Sequence, residues 1–235
     1  MVASLVGLKA KLDLPEGVTV VTTLEEGVVQ TMRLLGLEVP DLTEGLADQV
    51  SGAVDGLDPK RTLVRGLFSG GTLCYESLVI LSEILGPVWS NTPLDKRYRV
   101  PAPVGSHVCL DLGEEEYTKG RPHPMIDPEA RIEWLREAGE DDDVAVVLLD
   151  VVLGYGAHAD PAGQLAPACE EVMSKGLKVV AYVLGTDQDP QGFARQKARL
   201  QESGCVVAET NARACLAAAA IARREPDLVS RTLGR

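Results

Sequence analysis

The chain has 235 residues, enough for one large domain with an attachment. Hydrophobic residues make up 45% and aromatics only 4%. The core must therefore be built from Val, Leu, Ala and Ile, which favours an α/β protein over an aromatic-rich sandwich. A net charge of −12 argues against nucleic acid as a partner, and no apolar run reaches the length of a membrane span.

Residues 1–60 read as a small α/β or helical segment. Val18–Thr23 is a short strand, and Thr23 caps a following helix with Glu26 as its capping-box partner. Val28, Val29, Met32 and Leu35 recur at helical spacing before Gly36 and Pro40. A second helix spans Thr43–Val54, and Asp58-Pro59-Lys60 marks a boundary. The N-terminal run through Lys9 is too short and weak for a signal peptide, so a cytoplasmic location is expected.

From residue 61 to 224 strands and helices alternate, the pattern of a parallel sheet covered on both faces. Leu63–Phe68 is a strand and Thr72–Leu85 a helix ended by Gly86-Pro87. Val88–Asn91 is a short strand, and the loop to Ser106 carries Lys96, Arg97 and Arg99. His107–Leu112 is a strand, followed by a long loop from Gly113 to Ile126. Asp127 as N-cap and Pro128 at the first helical position start a helix to about Ala138. Val144–Leu153, the most apolar strand, belongs at the sheet centre. A helix from Pro161 to about Lys175, a strand Lys178–Leu184, a helix Gln191–Ser203, a strand Cys205–Glu209 and a helix Asn211–Arg223 follow. Residues 225–235 read as a frayed tail. Gly17–Leu35 and Gly204–Ile221 share one pattern of glycine, strand, Thr turn and helix.

The cysteines, Cys74, Cys109, Cys169, Cys205 and Cys215, form no CxxC pair and no zinc spacing, and no metal is expected. Cys109, Cys205 and Cys215 lie in apolar runs as reduced core residues. Cys74 falls in the first helical turn, where a thiol is either activated or turned into the core.

In a parallel sheet every loop that follows a strand leaves from one edge. There Ser69-Gly70-Gly71-Thr72 breaks a strand into a helix, leaving N–H groups and the positive dipole end for an anion. The turn matches neither the Walker A nor the GxGxxG pattern, and a tight turn uses glycine without any ligand. Arg121 and Gly154 join it as candidate anion-binding residues, and His123 and His158 as candidate acid–base groups. His158 also reads as a capping group. Asp150 interrupts an apolar strand, so it is either a site residue or bonded to a loop amide. With Asp160 it is a candidate substrate-binding carboxylate.

Phe68-Ser69-Gly70-Gly71-Thr72-Leu73-Cys74-Tyr75-Glu76 resembles the Ser-Gly-Thr-Leu-Thr-Tyr-Glu segment of the succinyl-CoA synthetase alpha subunit, and the similarity runs from about Thr62 to Arg223. It implies a flavodoxin-like, three-layer CoA-ligase domain whose helix N-termini face a phosphohistidine. Arg65–Glu76, Gly120–Asp127 and Asp150–Pro161 are similar to the FdrA family of acyl-CoA-synthetase-like proteins. That resemblance implies carbamoyl transfer between oxalurate and phosphate, in an oxamate carbamoyltransferase complex. The loop that carries the phosphorylated histidine in the synthetases reads Gly185-Thr186-Asp187-Gln188-Asp189-Pro190 here, without histidine. The resemblance also implies separate CoA-binding and nucleotide-binding domains, with residues 1–60 as the tail of an upstream module.

Three readings follow. The first is an FdrA-like ligase or transferase domain handling an acyl or carbamoyl phosphate. The second is an acyl-CoA synthetase module, and the third a non-catalytic assembly subunit. CoA and phosphate are the candidate cofactors. The expected partners are a small anionic substrate and other subunits or an upstream CoA-binding domain, in an oligomer.

Overall fold

The computed structural model describes residues 1–8, 13 and 15–233. Lys9 of the N-terminal run and residues 234–235 of the tail lie outside the described residues. The elements are β1 (Val2–Ser4), β2 (Thr19–Val21), α1 (Leu24–Leu34), α2 (Leu46–Val54), β3 (Leu63–Phe68), α3 (Gly71–Leu85) and β4 (Val88–Trp89). They continue as β5 (His107–Asp111), α4 (Glu115–Thr118), α5 (Glu129–Gly139), β6 (Val144–Val152), α6 (Pro161–Ser174), β7 (Lys178–Leu184), α7 (Phe193–Glu202), β8 (Val206–Ala208) and α8 (Asn211–Arg223).

Six strands form one parallel sheet in the order β4-β5-β3-β6-β7-β8. Without the two-residue edge strand β4, this is the 2-1-3-4-5 order of the flavodoxin-like doubly wound fold. β6 shows why its sequence is uninterrupted Val and Leu. Val146 and Leu148 enter the apolar cluster shared with α3 and α8, while Val147, Leu149 and Val151 enter the one shared with α5 and α6. Each fully buried Leu here stabilises the fold by about 1.5–3 kcal/mol. Gly66 in β3 is imposed by packing, since a Cβ there would lie 2.6 Å from Cys109 Sγ. All five cysteines are buried and unbridged, and burial pushes the Cys74 thiol above its ordinary range rather than activating it.

The chain leaves β3 toward β4 and β5 on one side and leaves β6 toward β7 on the other. The carboxyl ends of β3 and β6 therefore flank the topological switch point, where such sheets open a crevice.

Several boundaries differ from the sequence reading. The first helix of the ligase region starts at Gly71 with Gly70 as N-cap. Pro128 takes the cap position of α5, while the Asp127 carboxylate still accepts the Glu129 N–H at 3.1 Å. Glu26 accepts the Thr22 N–H at 3.1 Å, one residue upstream of the N-cap Thr23 that a capping box would use. The Gly17 and Gly204 units do share one design: Thr23 Oγ1 accepts the Glu26 N–H at 3.2 Å, and Thr210 Oγ1 the Arg213 N–H at 3.1 Å. β2, however, pairs with β1 in a separate two-stranded parallel sheet.

Residues 225–233 of the tail do not fray. Val229 and Leu233 are buried, because a turn at Pro226–Ser230 folds onto α2 and α8. Residues of α2, Leu46, Val50 and Ala53, share the apolar cluster of α3 and α8. α1 docks through buried polar groups. The Glu25 carboxylate accepts from Arg213 Nε at 3.0 Å and Thr210 Oγ1 at 2.6 Å, and Glu76 accepts the Leu24 N–H at 2.7 Å.

Candidate functional site

At the carboxyl end of β3 the chain must turn sharply to start α3. Ser69 is buried at that turn, and its N–H donates to Asp150 Oδ1 at 2.8 Å while its hydroxyl donates to Oδ2. Asp150 is itself ion-paired to Arg131 at 3.0 Å, and each side chain is only 1% exposed. The two alternatives for Asp150 resolve in favour of the loop amide. It fixes the turn from across β3 and β6, with both oxygens engaged, and is not placed as a substrate ligand.

The helix that follows has no side-chain cap, and Gly71 and Thr72 of its first turn are exposed. The first N–H groups of a helix have no intrahelical acceptor, so this end is electropositive and open. Asp111, at the end of β5, lies against it: a Cβ on Gly71 would be 3.0 Å from Asp111 Oδ2. Asn91 holds the Asp111 backbone through bonds of 2.9 and 3.0 Å, and the Gly113 N–H donates to Oδ1 at 2.9 Å. Burial pushes the Asp111 carboxyl above the usual range, and the Gly113 N–H partly offsets that shift.

His123 is brought in by Gly113. A Cβ on Gly113 would lie 2.7 Å from both His123 Nε2 and the Ser69 carbonyl oxygen, and 3.1 Å from Asp111 Oδ1. Only glycine allows this approach. His123 Nδ1 accepts the Met125 N–H at 3.3 Å, so the neutral ring carries its proton on Nε2, the atom facing the site. Ser69, Gly70, Gly71, Thr72, Asp111 and His123 thus form one continuous wall.

Other predicted residues lie elsewhere. Arg121 is bound to Glu133 of α5 at 2.9 Å in a half-exposed pair. Both backbone groups of Gly154 are taken by the buried Gln191 side chain, at 3.1 and 2.8 Å. Asp160 caps α6, accepting the Gly163 N–H, and binds Gln196 at 2.8 Å. His158 Nδ1 accepts the Asp160 N–H at 3.0 Å, and its own N–H donates to the Met125 carbonyl at 2.8 Å. The loops of His123 and His158 therefore meet at Met125. In the loop after β7, Asp189 accepts from Thr186 at 2.6 Å, which closes it as a turn.

Asp111 was not marked by the sequence reading. The signal was present: it interrupts an apolar strand near its carboxyl end, as Asp150 does. Arg131 and Gln191 carried no such signal, since a charged residue on a helix or an amide in a turn is ordinarily solvated.

A cleft of about 910 Å³ opens beside Asn91, lined by Lys96, Arg99 and Lys119 but also by Glu114, Glu115 and Glu116. Three cations matched by three carboxylates leave no excess positive charge for the phosphates of CoA. Among the described residues no cluster of His, Cys, Asp and Glu would hold a metal ion.

The sequence from residue 67 to 221 matches the CoA-ligase family. The chain belongs to that family. It is 39% identical over 163 residues to the uncharacterized protein YahF of Escherichia coli (strain K12), a match spanning 66% of this chain and 32% of YahF. This member therefore spans about a third of the length of that relative. Its fold also aligns with the crystal structure of PH0766 from Pyrococcus horikoshii OT3, at 14% identity and a TM-score of 0.42, over 92% of this chain and 47% of that one. The family match supports the acyl-CoA-synthetase-like reading at a coarse level; neither it nor YahF carries the FdrA assignment or carbamoyl transfer. Among the described residues no helix of this CoA-ligase domain is long and apolar enough to cross a membrane.

Proposed function

We propose that this CoA-ligase domain binds the phosphoryl end of an acyl phosphate within a larger acyl-CoA-synthetase-like enzyme. The observation that carries the reading is the uncapped first turn of α3 beside Asp111 and the proton-bearing Nε2 of His123. The N–H groups of Gly71 and Thr72 hold the phosphoryl oxygens. When a CoA thiolate delivered by another domain or subunit attacks the acyl carbon, the C–S bond forms as the bond to the bridging oxygen breaks, and phosphate leaves carrying the negative charge. Preorganised amides oppose that charge without reorganising, and one such donor is worth about 3–4 kcal/mol in related oxyanion sites. His123 Nε2–H donates to the leaving oxygen. Asp111 and His123 both crowd the Gly113 position, so they border the same space. CoA binding falls to other domains or subunits.

The test is a calorimetric titration of the full chain with inorganic phosphate, acetyl phosphate and carbamoyl phosphate. Binding of phosphate and acetyl phosphate should be lost in Gly71→Asp and weakened at least tenfold in His123→Asn. Unchanged affinity in both variants removes the site. Binding of carbamoyl phosphate alone would replace acyl by carbamoyl transfer.

A further inference from the structure

An apolar groove of about 470 Å³ starts at the same turn. Thr72 and Leu73, in the first turn of α3, form one wall, and Tyr182 and Leu184 at the end of β7 form the floor. The opposite wall is the apolar stripe of α1, Val28, Val29 and Met32. An amphipathic helix ordinarily buries such a stripe in the core. Here Val28 is 60% exposed and Leu184 is 42% exposed, so the stripe faces an open space. The groove is held open rather than collapsed. The first turn of α1 is pinned to α8 by Glu25 and Arg213 and to α3 by Glu76, and each of these three side chains is engaged in those bonds. Its volume falls in the range of small-molecule sites, which are mostly apolar with a few convergent polar groups.

Thr72 belongs to both the groove and the uncapped helix end. A ligand that satisfies both has an anionic head and an aliphatic chain. We propose that the groove receives the hydrocarbon chain of a medium-chain acyl anion whose head group sits on the Gly71 and Thr72 amides. This rests on the phosphoryl-site reading for the head and on α1 for the chain. It assigns α1 the task of selecting acyl length. Short acyl groups leave the apolar walls wet, whereas longer ones cover Val28, Met32 and Leu184, with each added methylene worth about fourfold in affinity, from about 0.8 kcal/mol of burial.

The experiment is calorimetry of the full chain with acetate, octanoate and inorganic phosphate. Octanoate should bind at least tenfold more tightly than acetate. Val28→Trp, a change at the exposed mouth, should weaken octanoate at least tenfold and leave phosphate unaffected. Met32→Glu serves as a second variant should the first be poorly folded. Octanoate binding no tighter than acetate, or unmoved by both variants, overturns the proposal. Octanoate binding that survives Gly71→Asp overturns the shared ligand, because chain and head would then occupy separate sites. Failure of phosphate to bind, with octanoate still sensitive to Val28→Trp, strikes the head-group reading and leaves the groove standing.

Discussion

The pair Asp150–Arg131 offers the sharpest test of how the site is held. Both side chains are 1% exposed and 3.0 Å apart, and Arg131 Nη1 also donates to the Asp150 carbonyl. Burial works against the Arg131 charge and Asp150 restores it. Asp150→Asn keeps an oxygen for the Ser69 N–H but leaves the guanidinium uncompensated, with Arg131 Nε already lacking an acceptor among the described residues. Breaking one side of such a pair costs about 3–5 kcal/mol, a large part of the stability of an ordinary domain. Arg131→Met should cost a similar amount, by stranding the carboxylate. The double variant Asp150→Asn/Arg131→Met removes both charges, so its loss should fall below the sum of the singles by at least about 2 kcal/mol. Urea denaturation of the four proteins gives the cycle. Single losses below about 1 kcal/mol, or additivity within about 0.5 kcal/mol, refute the idea that this pair fixes the turn.

Gly113→Ala should cost about 1–3 kcal/mol and weaken phosphate binding at least tenfold, because the new methyl meets the Ser69 carbonyl and His123 Nε2 at 2.7 Å. Gly70→Ala should fold normally, since a Cβ there meets nothing within 4 Å and its φ of −168° is ordinary extended backbone; equal effects of the two changes would contradict this. Burial, and to a lesser degree Arg65, holds the His107 pKa below its ordinary value, and its Nδ1 accepts the Val64 N–H at 3.1 Å. The neutral ring is therefore the native form. Its contribution is present above the ordinary His pKa near ~6.5 and is lost as pH falls through the lower folded value. Thermal melts should fall over that acidic window and fall less in His107→Asn. Glu25→Ala should cost about 3 kcal/mol by stranding Arg213 and should expose residues 24–40 to limited proteolysis; an unchanged digestion pattern would show that α1 docks by other means.

Much of the fold was legible because it rests on local rules. Glycine and proline punctuation and the switch between a period of 2 and a period of 3.6 locate β3, α3, β6 and α8 within a residue or two. The turn at Ser69–Thr72 was legible as a strand-to-helix turn because its glycines end the apolar strand just before the helical pattern begins. Asp150 was marked by the cost of a lone carboxylate in an apolar strand, and the same rule extends to Asp111. Arg121 and Gly154 were placed by shared loop membership, and membership of a loop does not say which partner a side chain or amide will find. Arg121 found Glu133, twelve residues away, and Gly154 found Gln191, thirty-seven residues away.

By itself the sequence determined the six strands of the parallel sheet, the long helices between them and a helix start after Gly70, since each depends on neighbouring residues; β1 and α4 it did not show. Tertiary structure alone decided what surrounds that helix start. Ser69 meets Asp150 across 81 positions and Glu25 meets Arg213 across 188. Such contacts are chosen by strand order and packing, so only the folded chain could set Asp111 beside Gly71, bring His123 against Gly113 and turn the stripe of α1 toward an open groove.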